Sequence, residues 1–157
     1  MSYQTWHVYG YGYGVNISDI DIDDSKLDKL IRNSNISDGI SNELNKLYAE
    51  YKNDMDAVCD ALTDKYNLSS TYDAGYASMI AYLLEQQYSG LRFTPCTDYD
   101  NNQYVLYCPD YPWCETDFEK TLTEKTLRQI FVSFFETITD KPLSFNCLGY
   151  HDVENGG

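Results

Sequence analysis

Positive charge is what this chain has least of. Eleven Lys and Arg stand against 25 Asp and Glu, a formal charge of -14 at pH 7. Such a surface repels phosphate backbones and anionic lipids at long range, which argues against direct nucleic-acid binding and against a membrane-surface role. Histidine is scarce, with His7 and His151 alone, so metal and general-base chemistry has little to build on. The longest apolar run, around IFVSFF at residues 130 to 135, falls far short of the roughly 20 residues that a membrane helix needs. No basic stretch followed by an apolar one opens the chain, so the expected location is the cytoplasm. No Cys-x-x-Cys pair occurs among Cys59, Cys96, Cys108, Cys114 and Cys147, and the Cys108 to Cys114 spacing misses the zinc-knuckle patterns. Five cysteines without an export signal are expected to be reduced. No metal and no cofactor is expected.

The 157 residues are 43% hydrophobic and 15% aromatic, with sixteen tyrosines. That is material for one packed core, so residues 1–157 are read as a single domain.

In YQTWHVYGYGYGV, side chains alternate with period two: Tyr9, Tyr11 and Tyr13 share one face with His7, while Gly10, Gly12 and Gly14 share the other. This predicts a strand. Three glycines on one side imply a close approach to the backbone there, with a helix lying on the sheet as the expected neighbour. After an acidic stretch, Leu27, Leu30 and Ile31 mark a short helix capped by Asp24 or Ser25. From Ile40 to Tyr66 apolar positions recur at helical spacing, with Asn53-Asp54 as the point where the stripe would divide. Tyr72, Tyr76, Met79, Ile80, Leu83 and Leu84 mark a further helix ending near Gly90. Residues 91 to 97 and 103 to 108 flank a turn-rich TDYDNN and read as a hairpin. A helix over 122 to 139 follows, capped by Thr121 or Thr123 and closed by Lys141-Pro142. LSFNCLGYH reads as a last strand and VENGG as a polar tail.

The order predicts an α+β fold: a four-stranded antiparallel sheet with helices on one face, in ferredoxin-like βαββαβ order with extra helices in the first crossover. The glycine face of the first strand is then expected under the helices and the tyrosine face on the open side. Those tyrosines would form a binding platform or pack beneath loops; composition leaves both readings standing.

Several chemical motifs fail on spacing. GYGYG fits neither dinucleotide nor P-loop patterns. In DIDIDD, Asp19, Asp21 and Asp23 match the first ligands of a calcium loop, but Asp24 replaces the required glycine and Leu30 the closing glutamate. A Cys-His enzyme would need Cys108 or Cys147 to be an activated thiol, and nothing in the spacing suggests one. No catalytic residue is expected.

The acidic residues carry more information. Asp19, Asp21, Asp23 and Asp24 form one cluster, and Asp98 and Asp100 lead another around the hairpin. Carboxylates at such density suit the Lys/Arg-lined groove of a nucleic-acid-binding protein.

With MSYQTWHVYGYGYGV at the start, YPW in the middle and VENGG at the end, the chain resembles short acidic proteins carried by phages and mobile elements of Firmicutes. That resemblance implies an anti-CRISPR-like setting, and hence a non-catalytic inhibitor whose partner is a basic nucleic-acid-binding protein such as a CRISPR nuclease, in the host cytoplasm. Asp19, Asp21, Asp23, Asp24, Asp98 and Asp100 are the expected contacts for steering, and Tyr9, Tyr11 and Tyr13 those for short-range contact. The alternatives are a small-molecule or protein-binding module using the tyrosine face, or a homodimer formed through it.

Overall fold

A computed structural model describes residues 5–14, 22–68, 75–88, 90–98, 100, 102–108, 119, 121–140 and 148–156. Five helices and four strands occur among them: β1 (Thr5–Gly14), α1 (Asp24–Arg32), α2 (Ile40–Glu50), α3 (Met55–Tyr66), α4 (Tyr76–Gln87), β2 (Phe93–Thr97), β3 (Gln103–Tyr107), α5 (Glu124–Glu136) and β4 (Leu148–Gly156). The strands form one sheet in the order β2-β3-β1-β4, and every neighbouring pair is antiparallel.

Helix boundaries follow local chemistry. Asp23, rather than Asp24 or Ser25, caps α1: its carboxylate accepts the N–H groups of Ser25 at 2.9 Å and Lys26 at 3.1 Å, and the helix buries Leu27 and Ile31. The long apolar stripe divides where expected. Lys52 and Asn53 adopt left-handed backbone with φ of 54° and 63°, and Asp54 caps α3. Thr123 caps α5 through its hydroxyl. The expected closure at Lys141-Pro142 lies outside the described residues.

Tyrosine and glycine on β1 sit opposite to expectation. Tyr11 and Tyr13 are buried at 2% and 0% exposure, and their rings meet Phe131 and Phe135 on α5 at centroid distances of 6.1 and 4.8 Å. The tyrosine face is therefore the helix-side face. It shares the main core with Phe93, Val105, Tyr107 and apolar residues from all five helices. Two large rings bury far more apolar surface against phenylalanines than two glycines could, which decides the orientation.

The glycines answer to a neighbouring strand and not to a helix. A Cβ on Gly10 would lie 2.5 Å from the Tyr107 carbonyl oxygen, and one on Gly12 would overlap the Val105 carbonyl. The close approach is thus made by β3 backbone. Nor is this second face open throughout, since Cys96, Leu106 and Val153 form a small buried cluster on it, flanked by Val8, Tyr104 and Cys108.

β4 runs on through the segment expected to be a polar tail. Its residues pair with β1 from Leu148↔Tyr13 to Gly156↔Thr5, because β1 offers a partner along its whole length. β3 pairs only with Tyr11 to Gly14. Among the described residues, the Thr5–Tyr9 part of β1 has only β4 as a strand partner, and the two make a ribbon that extends beyond β3.

Candidate functional site

The ribbon and the start of α5 carry the surface with the most chemistry. Tyr9 and Tyr150 are 59% and 53% exposed. Their rings stack with centroids 5.9 Å apart and 10° from parallel. Tyr150 also meets buried Tyr11 edge-on at 5.2 Å, so the exposed stack rests on a fixed ring. The register explains the stack: Tyr150 is opposite Tyr11, and Tyr9, two residues away, is its diagonal neighbour on the same face. Period two places Asp152 and Glu154 on that face as well, and both are exposed.

Beside Tyr150, a cavity of about 140 Å³ opens between the sheet and the start of α5. Tyr11, Tyr107 and Tyr150 form its aromatic walls, Leu127 contributes an apolar wall, and Glu119 and Glu124 bring carboxylates. The Tyr107 hydroxyl donates to Glu119 Oε2 at 2.9 Å, which fixes that carboxylate. Burial pushes the Tyr11 phenol above its usual range; Glu124 pushes it further and Arg128 opposes.

A larger groove of about 410 Å³ lies along α1 and the α2–α3 turn, but Asp24, Asp28 and Arg32 on its walls are engaged within the fold. Asp28 accepts from the Tyr48 hydroxyl at 2.5 Å and from Arg32 Nε at 2.8 Å. Arg32 also donates to Asn45 at 3.0 Å. Asp24, at its edge, accepts the Tyr76 hydroxyl at 2.9 Å. Burial, then these carboxylates, push the Tyr48 and Tyr76 phenols up, so both stay protonated donors.

The expected contact residues are not brought together. Asp19 and Asp21 lie outside the described residues. Asp23 and Asp24 are engaged within the fold as a helix cap and a tyrosine acceptor. Asp98 accepts the N–H groups of Asp100 and Asn102 at 2.9 Å each, the Asn102 amide at 3.0 Å and the Tyr104 hydroxyl at 3.3 Å. It builds the hairpin turn, while Asp100 is exposed. Of the three tyrosines, only Tyr9 is available at the surface; Tyr11 supports its stacking partner Tyr150 and Tyr13 belongs to the core.

Sequence reasoning missed Tyr150, Asp152, Glu154 and the cavity carboxylates. The alternation Tyr150, Asp152, Glu154 was readable as a strand face, but reading VENGG as a tail hid it.

Nucleophile chemistry finds little support in what is described. Burial raises the Cys59 thiol well above its usual value and raises that of Cys108, opposite to the depression that activates a thiol. Cys147 lies outside the described residues. His7 is opposite Glu154 and His151 opposite Gly10, so the two histidines occupy different rungs. Among the described residues, no three His, Cys, Asp or Glu side chains gather as a metal ion would require, and no helix is long and apolar enough to cross a membrane.

The fold is therefore mixed α+β, with a four-stranded antiparallel sheet and an aromatic, acidic surface on its β1–β4 ribbon. Against known proteins, the chain matches no family model, no curated protein and no solved structure.

Proposed function

We propose that this chain is a non-catalytic inhibitory binding protein of the anti-CRISPR type, which acts in the host cytoplasm by placing acidic surface in the nucleic-acid groove of a basic host nuclease. The observation that carries the reading is the stacked, exposed pair Tyr9 and Tyr150 with Asp152 and Glu154 on the same face. Rigid aromatic rings supply contact area at small entropic cost, and the carboxylates favour a Lys/Arg-lined partner. The formal charge of -14 supports steering toward such a groove. The fold reading extends to the ferredoxin-like class, supported by an antiparallel order in which β3 lies between β1 and β2, and β1 between β3 and β4.

The test is capture and inhibition of guide-loaded CRISPR nucleases across a salt gradient. Wild type is expected to bind at physiological salt, to be competed by DNA or RNA, and to block cleavage. Tyr9→Ala and Tyr150→Ala together are expected to weaken inhibition at least tenfold while circular dichroism stays unchanged. Failure to bind any of these nucleases, or binding indifferent to nucleic acid, sinks the reading. A wild-type dimer that Tyr150→Ala converts to monomer would reassign the patch to self-association.

A further inference from the structure

We propose that the cavity between the sheet and the start of α5 takes the guanidinium of an arginine side chain supplied by the partner, an assignment that rests on the reading of this chain as a binder of a basic protein. Its walls are what a guanidinium recognises. The head is planar, stacks on aromatic faces and forks onto carboxylates, whereas an ammonium acts as a strongly hydrated point charge. Tyr11, Tyr107 and Tyr150 supply aromatic lining, and Glu119 and Glu124 the charge.

The site is built in advance. Tyr11, Tyr107 and Leu127 are 2%, 4% and 6% exposed, so three walls are held by the core. The Tyr107 hydroxyl orients Glu119. Tyr150, half exposed, forms the rim and is the same ring that completes the stack with Tyr9, so a side chain entering the cavity would leave a partner seated on the ribbon. At about 30 Å³ per water, the volume of about 140 Å³ equals four or five waters, room for a guanidinium and the end of its stem.

The charge balance selects the sign. The start of α5 would attract an anion if left open, but the Thr123 hydroxyl already accepts the Thr126 N–H at 3.2 Å and Glu124 occupies the first turn. Arg128 is the nearby cation that acts on Tyr11, yet it is not one of the residues lining the cavity. Among the described residues, the lining presents two carboxylates and no basic group.

The experiment titrates the full chain with N-acetyl-argininamide and, separately, with its neutral isostere N-acetyl-citrullinamide, following backbone amide resonances by NMR. Saturable shifts centred on Tyr11, Glu124 and Tyr150 are expected with the arginine probe, at least tenfold weaker with the citrulline probe. Exposed Glu124→Gln, which leaves the Thr123 cap in place, is expected to weaken the arginine response about tenfold. Absence of saturable shifts at these residues, or an equal response to both probes, would overturn the assignment. If nuclease capture succeeds while the arginine probe is silent here, only the cavity assignment falls. Probe binding without capture of any nuclease upholds the cavity and defeats the inhibitor reading.

Discussion

Gly12 and Gly149 face one another across the β1–β4 ladder, yet the two are not equivalent. A side chain at Gly12 would run into the Val105 backbone of β3, whereas among the described residues nothing lies within 4 Å of the position a Cβ would take at Gly149. The first glycine is imposed by a neighbour and the second is not.

Gly12→Ala is therefore expected to push β1 and β3 apart, at a cost of about 3 kcal/mol. Gly149→Ala should stay within about 0.5 kcal/mol of wild type. Urea unfolding midpoints at constant m-value would measure both, and equal effects would show that β3 yields easily.

Helix α4 starts at Gly75, which has no side chain to cap it. Asp56 on α3 supplies the acceptor instead, taking the Tyr76 N–H at 3.2 Å, and Gln103 on β3 takes the Ala77 N–H at 3.1 Å. Asp56→Ala is expected to cost about 1 kcal/mol, the size of a lost N-cap. Hydrogen exchange should place the loosening at the first turn of α4, and protection unchanged there would refute the cap.

Burial alone would raise the Asp98 carboxyl, but hydrogen bonds from the Asn102 side chain, the Asn102 and Asp100 N–H groups and Tyr104 outweigh it, so the group titrates below the usual range. A depressed carboxylate contributes stability above its unfolded value, near pH 3.9, and loses it as pH falls through the folded value. Asp98→Asn is expected to cost about 1 kcal/mol at pH 7, and the difference is expected to shrink as pH falls below about 3.9. A difference that did not shrink with falling pH would assign the loss to packing instead.

Much of the architecture was legible in the residues. Helical spacing marked Leu27 with Ile31 and the stripe from Ile40 to Tyr66, and left-handed Lys52 and Asn53 before the Asp54 cap break that stripe because the residues there favour a turn. The direction of the tyrosines was not legible. Alternation gives parity, not which side meets helices, and tyrosine suits either side of a sheet. The pairing of Phe131 and Phe135 with Tyr11 and Tyr13 settles it through contacts more than a hundred residues apart in sequence. The candidate site was hidden for the same reason: Tyr9 acquires its stacking partner only through the β1–β4 register, and Glu119 and Glu124 reach Tyr11 only through the packing of α5.

The β1–β4 ladder also orders events during synthesis. β1 is made before the other described elements, and among the described residues its Thr5–Tyr9 part finds a strand partner only in β4. Until β4 is made, the backbone groups of Thr5–Tyr9 that pair with it are unmet on the nascent chain and open to wrong pairings. Closing the sheet brings together residues separated by almost the whole sequence, the kind of contact that slows folding most. Synthesis of β4, the last of the described elements, is then the event that first assembles the exposed tyrosine pair.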